Sequence, residues 1–190
     1  MVDFRRRAEQ GAEGLLLPGE EMLAGVSVTA APFRVGGAGM TSGLIVGGVV
    51  GAAVGAAVDK RRGRKDSEKE SVRPLPDLAT RPEVEPVIPA AGGLLGVTTA
   101  RVLAWSVSGM GKAKDLLHAI PLDEVDAVVW QRVEAARLAG RPASIVLWIG
   151  CGPRVLPCAA IDMSTTGKAV REVITVLTGR RPGRVREFTP

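Results

Sequence analysis

The sequence predicts a mainly β protein with one C-terminal α-helix and a second, Gly/Ala-rich apolar helix inserted after the first strand. Three observations carry this. Short apolar runs separated by Gly and Pro turns follow one another from residue 93 onward. Near the end, Val170, Val173, Ile174 and Leu177 switch to the i, i+3, i+4, i+7 spacing of a helix face. Between residues 35 and 58 no side chain carries a charge, and Gly43, Gly47, Gly51 and Gly55 recur every fourth position.

Taken in order, residues 1–18 are largely polar and charged and are expected to form a flexible N-terminus, loosely attached up to Leu15-Leu16-Leu17-Pro18. The opening residues run into Glu and Gln instead of the apolar core of a cleavable leader. Residues 19–33 hold the first strand, because Met22, Ala24, Val26, Val28 and Ala30 alternate with their neighbours at a period of two.

Residues 34–59 form the glycine-zipper segment. Four residues advance a helix slightly more than one turn, so Gly43, Gly47, Gly51 and Gly55 line one flat groove, with Gly48, Ala52 and Ala56 beside it. Each glycine costs about 1 kcal/mol relative to alanine in a solvated helix, whereas small residues let helices approach closely in a bilayer. The run is long enough for the hydrocarbon core, which takes about 20 apolar residues. Lys60, Arg61, Arg62, Arg64 and Lys65 follow at once and fit anionic headgroups on the cytoplasmic side.

Residues 60–92 are expected to form a basic, then Pro-rich linker, since Pro74, Pro76, Pro82, Pro86 and Pro89 oppose both helix and central strand. Residues 93–179 then read as an antiparallel meander. Its expected strands are Leu94 to Thr98, Arg101 to Val107, Leu116 to Ile120, Val125 to Val133, Ser144 to Ile149 and Arg154 to Ala160, a pattern of sandwiches and small barrels. Ser164, Thr165 or Thr166 is placed to cap the closing helix and Gly179 to end it. Residues 180–190 are expected to be an exposed basic tail.

Composition bounds the function. Aromatic residues make up 3% of the 190, and the net charge is +5. Phe4, Phe33, Trp105, Trp130, Trp148 and Phe188 are scattered instead of interleaved with basic residues, which argues against nucleic acid as a partner. Cys151 and Cys158 fit neither a metal knuckle nor a redox pair and read as free thiols, and His118 sits in an apolar run as a core or half-buried imidazole. Gly109-Met110-Gly111-Lys112-Ala113 lacks the spacing and the hydroxyl of a phosphate-binding loop and reads as a hairpin turn. Asp123, Glu124 and Asp126 read as a solvated loop. The expectation is therefore a protein with no catalytic residues, no metal and no cofactor.

Three stretches together resemble bacterial PH-like (GRAM-like) domains: Pro18-Gly19-Glu20 ahead of a strand, Gly93-Leu94-Leu95-Gly96-Val97-Thr98-Thr99-Ala100-Arg101-Val102-Leu103-Ala104-Trp105, and Ile120-Pro121-Leu122-Asp123-Glu124-Val125, followed by a closing helix. The resemblance covers residues 18–33 and 93–179. It implies a bent, seven-stranded antiparallel barrel, plugged at one end by the helix, that binds lipids or proteins. No lipid-binding residues are carried over. With the zipper anchoring such a domain, the expectation is a membrane-associated adaptor on the cytoplasmic face of the cell membrane, with membrane lipid or a membrane protein as partner. The alternatives are a cytoplasmic, self-assembling structural protein and a homo-oligomer built on the zipper. A single crossing by residues 35–58 conflicts with the barrel, because it puts the first strand and the rest on opposite sides of a bilayer. The expected resolutions are shallow insertion, packing against copies, or a first strand outside the barrel.

Overall fold

The apolar runs after residue 93 fold as an antiparallel ladder because their side chains bury two faces at once. A computed structural model describes residues 2–31, 76–134 and 142–189. The strands are β1 (Met22–Ala30), β2 (Gly93–Thr98), β3 (Arg101–Val107), β4 (Ala113–Pro121), β5 (Val125–Val133), β6 (Ser144–Cys151), β7 (Arg154–Ile161) and β8 (Val185–Glu187). Among the described residues, the α-helices are α1 (Phe4–Gly11) and α2 (Ser164–Arg180). The zipper residues 34–59 and the basic residues Lys60 to Lys65 lie outside the described residues.

The strands form one open sheet in the order β4-β3-β2-β1-β7-β6-β5-β8. β1 holds the two halves together by changing partner along its length. Met22 to Val28 pair with β2, whereas Thr29 and Ala30 pair with Ala159 and Cys158 of β7. The two edges, β4 and β8, do not pair with each other among the described residues, so the mainly β expectation holds while the sheet is open and not closed.

Alternation along each strand sorts side chains between faces. Leu95, Val97, Val102, Ala104, Val128, Ile145, Leu147, Ile149, Leu156 and Cys158 point into the central core, where Val170, Val173 and Leu177 of α2 cover them. On the opposite face of the first half, Leu94, Leu103 and Trp105 form a second cluster with Met22, Ala8 and Ala12. On the opposite face of the second half, Val129, Val146, Trp148, Val155 and Ala159 form a third with Ala31 and Leu78. Because both faces are buried, β2, β3 and β6 read as nearly continuous apolar runs.

Four local expectations change. The N-terminal residues expected to be loose form α1, capped by Asp3, whose carboxylate accepts from the Arg6 N–H at 2.9 Å. The helix seats against β1 at Gly25, where a Cβ would come within 2.7 Å of the Phe4 carbonyl oxygen and 3.0 Å of the Ala8 methyl. The later part of the expected linker is also built into the fold. Asp77–Thr80 forms a 3-10 turn, Leu78, Val84 and Ile88 are buried, the Val84 N–H donates to the Val155 carbonyl and the Val155 N–H donates to the Pro82 carbonyl, each at 2.9 Å. The expected basic tail supplies β8, which pairs in parallel with β5. The closing helix starts at Ser164 without a side-chain cap and runs to Arg180, one residue beyond Gly179.

Candidate functional site

The ends of the apolar insertion determine what that segment can do. Ala31, 6% exposed, is the last described residue before it, and Leu78, 4% exposed, lies just after it; both belong to the cluster over Trp148. The described residues on the two sides of residues 32–75 thus pack on the same face of the second half-sheet. A single membrane crossing would part β1 from the β2 and β7 strands to which it is hydrogen bonded. Those pairings remove the option of a first strand outside the sheet, and the expected apolar helix at residues 35–58 lies outside the described residues. Among the described residues, no helix is long and apolar enough to cross a membrane. Gly43, Gly47, Gly51 and Gly55, with Lys60, Arg61, Arg62, Arg64 and Lys65, lie outside the described residues, so no contact of theirs is described.

The returning chain is fastened by Arg81. Its Nη1 reaches both Asp126 carboxylate oxygens, at 2.7 and 2.9 Å, and the Gly152 carbonyl at 2.7 Å. Gly150 gives it room, since a Cβ there would fall 2.8 Å from the Leu78 side chain and 2.9 Å from Arg81 Nη1. Asp126 thus serves as an anchor, while Asp123 and Glu124 sit in a 3-10 turn between β4 and β5. Among the described residues, no group of three or more His, Cys, Asp or Glu side chains is placed to hold a metal ion.

A second clamp joins sequence positions far apart. Arg101 donates from Nε to Glu20 Oε1 at 3.0 Å and from Nη2 to Glu20 Oε2 at 2.6 Å, a bidentate pair, and Thr98 Oγ1 donates to the same Oε1 at 2.5 Å. The Leu17 N–H and the Leu15 carbonyl complete it, the former donating to Glu20 at 2.8 Å and the latter accepting from Arg101 at 2.8 Å. The Arg101 hydrogen bonds, helped by those from Leu17 and Thr98, outweigh burial and lower the Glu20 carboxyl to about 2. A third clamp sits at the start of α2, where Asp162 accepts from Arg132 Nε at 2.7 Å and from Arg171 Nη2 at 2.6 Å. The Arg132 hydrogen bond holds the Asp162 carboxyl below its ordinary range. Arg132 also pairs with Glu134.

The Glu20 and Asp162 carboxyls are held below their ordinary range, and Glu20, Asp126 and Asp162 each accept from arginines that tie separate segments together. Both Glu20 and Arg101 stand in the quoted sequence stretches, yet their pairing across the sheet has no local signal in the sequence. His118 is half-buried as expected, and its Nε2 donates to the Pro86 carbonyl at 2.6 Å. The Gly109 to Ala113 stretch is a hairpin turn, with Gly111 at φ +70° and its N–H on the Ser108 carbonyl at 2.8 Å.

The cysteines are free. Burial raises the Cys158 thiol to about 12, and burial with the nearby Asp126 and Glu124 charges raises Cys151 as well. Thiolate is the reactive form. With a disulfide colorimetric reagent at pH 8, we expect Cys158 to react only on unfolding in denaturant and Cys151 to react slowly in the native protein. Rapid native labelling of two thiols would contradict this burial.

No protein-family model matches the sequence, and no curated protein matches it. Among solved structures, the chain is similar to the hSac2 domain from human phosphoinositide phosphatase Sac2, at 8% identity and a TM-score of 0.45, over 97% of this chain and 88% of that one. A likeness at this level carries no information on activity.

Proposed function

We propose that this chain is a non-catalytic PH-like interaction module, held at the cytoplasmic face of a membrane by its apolar insertion, with membrane lipid or a membrane protein as its partner. The observation that carries the reading is the shared seat of Ala31 and Leu78. Beside it, an uncharged run followed by five basic residues fits shallow insertion among acyl chains, with the cations at anionic headgroups. The PH-like assignment draws support from the seven antiparallel strands, β1 to β7, bent through β1 and followed by a helix on the central core. The clamps at Glu20, Asp126 and Asp162 favour a rigid scaffold over an acid/base site.

Flotation with vesicles containing phosphatidylserine tests it. The full chain is expected to float and a version lacking residues 35–58 to remain at the bottom; equal behaviour of the two rejects membrane anchoring. The four-residue glycine spacing favours one second reading, a self-assembling structural protein. There, Gly47→Leu with Gly51→Leu lowers the mass measured by light scattering, and an unchanged mass rejects it.

A further inference from the structure

The segment after α2 is bound to the sheet the way a separate peptide would be. Its turn is fixed by Arg181, whose Nε and Nη2 donate to the Val125 carbonyl at 3.1 and 2.8 Å, and by the Arg184 N–H on the Arg181 carbonyl at 3.0 Å, with Gly183 at φ +75°. Beyond the turn, β8 lies parallel to β5 in the register Val128 with Val185, Val129 with Arg186 and Trp130 with Glu187. The Val128 N–H donates to the Arg184 carbonyl at 2.7 Å, and the Phe188 N–H donates to the Trp130 carbonyl at 2.8 Å.

The side chains divide by face. Val185 lies beside Val128 and packs on the central core, whereas Phe188, three residues on and hence on the other face, packs on the cluster of Val129, Val146 and Trp148. Arg186 and Glu187 are exposed. The edge of β5 thus offers a backbone ladder and two apolar shelves on opposite faces, and residues 184–188 fill them with an aliphatic-x-x-aromatic spacing.

We propose that the β5 edge is a strand-addition site for an extended peptide of that chemistry, parallel to β5, with an aliphatic residue followed three positions later by an aromatic one, and that residues 184–188 occupy it in cis. Strand addition draws affinity from main-chain hydrogen bonds and specificity from alternate side-chain pockets, and both are present here. The grip of the cis occupant is small: three paired residues and two half-buried side chains that follow a Pro-Gly turn. β5 itself continues to Val133, past the last β8 pairing at Trp130, so a longer peptide has more ladder to use than the cis strand does. The proposal stands independently of membrane anchoring.

The test uses the full chain and a fluorescein-labelled synthetic peptide with the sequence of residues 183–190. A tethered competitor acts at an effective concentration in the millimolar range, so the Val185→Ser/Phe188→Ser protein is expected to bind the labelled peptide at least about ten-fold tighter than the unaltered chain. A labelled peptide carrying the same two serines is expected not to bind. Equal, weak binding by a variant with unchanged far-UV circular dichroism overturns the proposal. On the unaltered chain, hydrogen exchange supplies a measurement that needs no variant: the Phe188 amide is expected to exchange at least about 100-fold faster than the amides shared by β5 and β6, as a strand that opens locally must. Equal protection of the two overturns the proposal as well.

Discussion

Replacing Glu20 by alanine is expected to lower the unfolding free energy by about 3–5 kcal/mol, the usual cost of removing one partner from a buried ion pair. The loss comes from what remains behind. Arg101 keeps a charged fork whose side chain is 18% exposed, and Thr98 keeps a hydroxyl in a fully buried position, both without their carboxylate. Thermal unfolding followed by circular dichroism should place the variant on the order of 10 °C below the unaltered chain. A shift within 2 °C would mean the clamp adds nothing to stability.

The same pair sets an acid limit. The Glu20 carboxyl falls from an ordinary value of 4.5 to about 2 on folding. A group depressed on folding contributes stability that is present above its unfolded value and is lost as pH falls toward the folded one. On the order of 3 kcal/mol is therefore expected to disappear between about pH 4.5 and 2. Urea midpoints measured across that range should fall in the unaltered chain and fall less steeply in Glu20→Gln.

Trp148→Ala is the second large effect, expected at about 3–5 kcal/mol for a fully buried tryptophan. Trp148 is 1% exposed and packs in the cluster that also receives Ala31 and Leu78, so the cavity opens beside both. The variant should unfold at lower urea. It should also be cleaved by a glutamyl endopeptidase after Glu83, in the returning segment, under conditions in which the unaltered chain is not. Gly150→Val separates the two consequences, because it pushes on Leu78 and Arg81 from the outside without emptying the core. We expect it to give the cleavage after Glu83 with a smaller loss of stability. Unchanged proteolysis in both variants would mean that the cluster does not hold the returning chain.

The strands β2, β3, β5, β6 and β7 were legible to within two residues, because alternating or continuous apolar runs bounded by Gly and Pro leave few other ways to bury them. The helix α2 was legible from its apolar stripe. By contrast, α1 was not, since its sequence FRRRAEQG shows so little apolar character that its docking rests on Ala8 fitting over Gly25. β8 was missed for a similar reason: three residues have no period to detect, and their place depends on pairing with β5, more than 50 residues earlier in the chain. The prolines at 82, 86 and 89 read correctly as breakers of regular structure but concealed the buried Leu78, Val84 and Ile88 among them.

Local chemistry, then, determined which residues extend, which coil and which turn, because those choices depend on periodicity and on neighbours a few positions away. The tertiary structure decided which segments cover the sheet faces, that Glu20 meets Arg101, and that Ala31 and Leu78 share one seat. Those outcomes rest on contacts between residues far apart in the chain, where close approach and charge pairing leave no mark on the local pattern.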